Sequence, residues 1–162
     1  MALAAALPGM IADFTALLVG PPLGPIAGAA KMANIYSKYT KAGQFGLSLP
    51  IFTGLEEQVL AATLAAVFVL PVPNPAAWGT AWSLGLTTYW LAPPIAVAGP
   101  QVGAVTTFTG GPGVLAALTA QVLIPFSPPP VAATLIATAL HVASLTVIAT
   151  VAPPPSAMVP LL

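Results

Sequence analysis

PPPVAATLIATALHVASLTVIATVAPPP, residues 128–155, sets 22 residues between two proline triplets. Val131 to Ala152 carry no formal charge and a single ionisable side chain, His141. One helix over this length would be about 33 Å long at 1.5 Å per residue, close to the ~30 Å hydrocarbon core of a bilayer. Read this way, the stretch is a helix over 130–151 and the chain is a bundle of such helices. Thr134, Thr138 and His141 then share one face at spacings of four and three, a polar stripe suited to interhelical hydrogen bonds among apolar neighbours. One histidine in a chain without cysteine supplies too few ligands for a metal site.

Composition points the same way. Charged residues make up 4% of the 162 positions and hydrophobic ones 58%, with zero net charge and a mean hydropathy of +0.99. The whole charged inventory is Asp13, Lys31, Lys38, Lys41, Glu56 and Glu57. That falls far short of the charged quarter to third of surface that keeps a small domain dispersed. The expected surroundings are lipid, partner proteins or further copies of the chain. Arginine is absent, which removes the bidentate fork used at most phosphate and nucleic-acid sites. The opening MALAAALPGMIADF has no basic region, so no cleaved signal peptide is expected. Twenty prolines and only six amides (Asn34, Asn74, Gln44, Gln58, Gln101 and Gln121) suit a hot environment.

Proline and glycine cut the chain into helix-length pieces. The expected fold is all-α: five or six hydrophobic helices, near 2–19, 26–42, 55–70, 75–91, 112–124 and 130–151. Pro/Gly-rich turns join them into one domain, 1–162, resembling a membrane bundle. The third, fourth and sixth pieces come nearest to membrane-spanning length. IAVAGPQVGAVTTFTGG, residues 95–111, is left open; its Val/Thr/Phe content also suits a short extended segment. Thr53-Gly54-Leu55-Glu56 fits a capping box, with Thr53 and Glu56 satisfying helix N-terminal donors reciprocally.

AAKMANIYSKYTKAGQ, residues 29–44, is the one basic feature. On a helix Lys31, Lys38 and Lys41 fall within about 80° of one another. They form a solvated face or a contact for lipid headgroups or, weakly, nucleic acid, with Tyr36 and Tyr39 expected at its edge. Glu56 and Glu57 read as helix N-terminal acids rather than a proton relay, because adjacent helical residues diverge. Asp13 is expected to pair with a lysine or cap a helix. Gly110-Gly111-Pro112-Gly113 lacks the Gly-Lys-Ser/Thr ending of a phosphate loop and reads as a turn. No nucleophile–base constellation emerges. The expected protein is non-enzymatic and cofactor-free.

LAATLAAVFVLPVPNP (60–75), APPIAVAGP (92–100) and the proline-bracketed helix give the chain its overall character. It resembles the small hydrophobic structural proteins of hyperthermophilic archaeal viruses, of the spherical globulovirus type. The resemblance lies in composition and transfers no functional residue. It implies an all-helical coat or envelope component of a virion, self-assembling with copies of itself and other structural proteins, with or without lipid. The uncharged turns give no basic loop to orient a solitary membrane protein. The alternative is a polytopic integral membrane protein, either an accessory subunit of a membrane complex or a small transporter or channel.

Overall fold

A computed structural model describes residues 2–20, 24–69, 74–92, 95–122, 127–152 and 157–162. Among these residues six helices are present: α1 (Ala2–Val19), α2 (Pro25–Thr40), α3 (Leu55–Phe68), α4 (Pro75–Leu91), α5 (Gly111–Val122) and α6 (Pro129–Ser144). Five strands accompany them: β1 (Leu49–Ile51), β2 (Ala96–Ala98), β3 (Val102–Thr107), β4 (Ile148–Ala152) and β5 (Ala157–Pro160). The all-α expectation is therefore corrected to a mixed α/β fold. The expected helix ends at 70 and 123–124 lie outside the described residues.

The correction begins in the opening stretch. α6 stops at Ser144, where the Thr146 hydroxyl donates to the Ala143 carbonyl at 2.7 Å. The next N–H groups tighten the turn: Thr146 N–H bonds to Ala143 and Val147 N–H to Ser144, at 3.0 and 3.1 Å. Three β-branched residues, Thr146-Val147-Ile148, then favour extended backbone. From there burial alternates: Val147, Ala149 and Val151 are buried while Thr150 and Ala152 are exposed, the period of a half-buried strand. The membrane-bundle expectation changes with it. Among the described residues one helix, Ala2–Val19, is long and apolar enough to cross a membrane. α3, α4 and α6 have 14, 17 and 16 residues.

Each helix packs against its neighbours in sequence, and α6 returns to α1, so the six close a ring. Close approach is built in at Gly79 of α4, where a Cβ would lie 2.6 Å from the Leu115 carbonyl of α5. The interior holds Trp82, Trp90, Tyr36, Tyr89, Phe14 and Leu60, all fully buried.

The strands form one antiparallel sheet in the order β1-β2-β3-β4-β5. β1, β2 and β4 follow α2, α4 and α6, so the sheet gathers at the end of the ring where the even-numbered helices terminate. Its two edges are joined through Gln44–Ser48. Phe45 bridges both Leu161 and Ser48, and Gln44 and Leu162 exchange backbone bonds of 3.1 and 2.9 Å.

Candidate functional site

The even-numbered helices end in hydroxyl-bearing and aromatic side chains that meet inside the ring. Tyr36 of α2 shares a 2.8 Å hydrogen bond with Ser144 of α6 and accepts from Trp90 Nε1 of α4 at 3.0 Å. Ser144 in turn donates to the Leu140 carbonyl at 2.8 Å, so Tyr36 donates to Ser144. Thr40 of α2 meets Tyr89 of α4 at 2.7 Å. The Tyr39 hydroxyl bonds to His141 Nδ1, linking α2 to α6 a second time. The rings pack edge to face around Tyr36, with Tyr89 at 5.2 Å and Trp82 at 6.4 Å.

Electrostatics keep this network neutral. Burial pushes the Tyr36 hydroxyl far above the ordinary phenol range, against the opposing pull of Ser144 and Trp90. Burial does the same for Tyr39 and Tyr89. His141 shifts the other way, because burial disfavours its cationic form. A set of protonated phenols and a neutral imidazole acts as a structural lock, tying α2, α4 and α6 at the end that carries the sheet. Among the described residues no three of His, Asp and Glu converge as metal ligands.

The stripe proposed from sequence is divided. His141 reaches across to α2, while Thr134 turns back and donates to the Pro130 carbonyl of its own helix at 2.8 Å. Thr138 is exposed beside a cleft between α5 and α6. Tyr36 and Tyr39, expected at the edge of the lysine face, are buried instead, at 0% and 3% exposure. They lie on the side of α2 that enters the ring.

Lys31, Lys38 and Lys41 are all exposed. Lys38 pairs with Asp13 of α1 at 2.7 Å, and both line a cleft between α1 and α2 that Lys31 also borders. Glu57 accepts from Asn34 of α2 at 3.0 Å. The exposed charges thus gather at one pole of the ring, on α1, α2 and the start of α3.

Glu56 is different, a carboxylate 1% exposed. It accepts from the Thr53 hydroxyl and the Gly54 N–H, both at 2.9 Å, and from the Thr53 N–H at 3.2 and 3.3 Å. The expected capping box is displaced by one residue. Gly54 in the left-handed region (φ 93°) is the N-cap, and Thr53 Oγ1 accepts from Leu55 N–H. Gly110–Gly113, expected as a turn, leads directly into α5 at Gly111.

No family model matches this chain, and no curated protein or solved structure matches it either.

Proposed function

We propose that this protein is a non-enzymatic structural subunit that self-assembles, with copies of itself and other structural proteins, into a virion shell or envelope. One observation carries the reading: the fold buries its own core yet leaves a broadly apolar exterior. The accessible surface is 7802 Å² for 16.1 kDa, near the roughly 7,400 Å² of a compact monomer of that mass. Large side chains nonetheless stand exposed, including Ile26, Leu47, Val69, Leu84, Val142 and Met158. Preformed subunits with apolar outsides associate without refolding. The resemblance in composition to coat components of hyperthermophilic archaeal viruses supports the virion setting. The lysine pole is the part suited to water, headgroups or nucleic-acid phosphates.

The test is sedimentation and electron microscopy of the purified full chain, with ordered assemblies expected. A monodisperse monomer active as a transporter in lipid sinks the proposal. That outcome belongs to the second reading, a membrane accessory subunit or small transporter. It is favoured by α1, whose 18 residues have a mean hydropathy of 1.8.

A further inference from the structure

We infer that this chain is three tandem copies of one ααββ unit closed around a three-fold axis, a trimer built on a single chain. Each unit is a pair of helices followed by a β-hairpin. α1 and α2 lead to Gln44–Phe45 and β1, α3 and α4 to β2 and β3, and α5 and α6 to β4 and β5. The first hairpin is short but complete: Phe45 and Ser48 exchange backbone bonds of 2.8 and 3.0 Å. Each hairpin then meets the next in the same way. β1 pairs with β2, β3 with β4, and Leu161 at the end of β5 with Phe45, all antiparallel. One such unit is too small to cover its own apolar face, and copies stacked until the ring closes cover it for one another.

The sequence carries the same period. Residues 10–40, 60–90 and 114–144 align without a gap, at offsets of 50 and 54. Four positions are identical in all three: Ala12, Ala62 and Ala116; Ala16, Ala66 and Ala120; Pro21, Pro71 and Pro125; and Pro25, Pro75 and Pro129. Phe-Thr-Gly also recurs at both joints between units, as 52–54 and 108–110, three residues from strand to helix each time. Burial follows the alignment. Phe14, Leu64 and Leu118 are each 0% exposed, as are Tyr36, Leu86 and Leu140, while the aligned alanines of the odd-numbered helices are exposed in every unit. Where the units differ, the difference is not required by the fold. Lys31, Lys38 and Lys41 align with Leu135, Val142 and Leu145 of α6, which are exposed as the lysines are. The lysine face is an addition to one unit of three, and it gives a symmetric body one distinct side.

Two measurements on the full chain test this, and neither depends on the self-association reading. The chain has no cysteine, so spin labels can be placed in pairs by Ala12→Cys, Ala62→Cys and Ala116→Cys, all at exposed positions. Double electron–electron resonance, with labelled chain diluted in unlabelled, should give one common distance for the three pairs. Three clearly unequal distances overturn the inference. The second measurement concerns the third joint. Leu3 and Leu161 both reach Gly43, where a Cβ would lie 3.1 and 2.7 Å from their side chains. A peptide bond from Leu162 to Met1 would set three residues, 161, 162 and 1, between β5 and α1, the same count as at the other two joints. Circular permutants joined by that bond and opened before Thr53 or before Thr109 should keep the helical circular dichroism and a single urea transition at the wild-type slope. Permutants that fold only when a Gly/Ser linker replaces the direct bond, or that fold with neither, show that the three joints are not equivalent, and the three-fold inference falls.

Discussion

Tyr36 shows how much of the fold rests on single polar atoms. Its hydroxyl serves Ser144 and Trp90 at once in a site without solvent. Tyr36→Phe leaves the Trp90 donor and the Ser144 hydroxyl each one partner short. The expected loss is about 1–3 kcal/mol, read as a lower urea midpoint at unchanged slope. His141 adds a pH dependence. Its folded pKa is depressed by burial, so below about pH 6.5 the unfolded chain binds more protons than the folded one. Its contribution is present above that pH and is lost as pH falls toward the folded value. Comparing the urea midpoints of wild type and His141→Gln at pH 7.5 and pH 5 checks this; the wild type should decline more steeply. The lysines behave differently. Changing Lys31, Lys38 and Lys41 together to Gln should alter folding stability by less than about 1 kcal/mol, read from urea midpoints, because exposed pairs are weak.

At the scale of elements, Gly79 and Glu56 set boundaries that substitutions will expose. Gly79→Val drives a side chain into Leu115 and Thr119 of α5, with an expected loss of about 1–3 kcal/mol; thermal melts measure it. Glu56→Ala strips acceptors from Thr53 and Gly54 and should cost about 0.5–2 kcal/mol. The helices were legible because Pro and Gly mark their ends, and Asn74-Pro75 begins α4 as read, with the Asn74 side chain accepting from Ala77 N–H. The sheet was mostly hidden. β1 and β2 have three residues each, and β1 and β5 carry Pro50 and Pro160, which edge strands tolerate but which interrupt any strand pattern in sequence. β4 did carry a signal, the β-branched run Thr146-Val147-Ile148 followed by alternation. The flanking prolines and uniform apolarity masked it as helix. The interior network was not legible, because Tyr36 and Ser144 are 108 residues apart and Tyr39 and His141 are 102 apart. Only ring closure brings them together.

For the whole molecule, an uncharged exterior beyond residue 57 makes a distinct prediction about solution behaviour. Assembly driven by that surface should respond little to sodium chloride between 0.05 and 0.5 M, roughly the range over which charge contacts are screened. Sulfate should strengthen it by favouring apolar burial, and light scattering in each salt compares the two. Ring closure has a further consequence, in the order of synthesis. The partner that covers one side of α1 is α6, and the residues that reach Gln44 and Phe45 are Leu161 and Leu162, just after β5. At 5–20 residues per second, Leu3 is made about 7–28 s before α6 is complete at Ser144. During translation this apolar helix has no finished seat. A nascent-chain experiment stalled after residue 128 should find α1 accessible to protease or occupied by a chaperone, and protected once the chain is released.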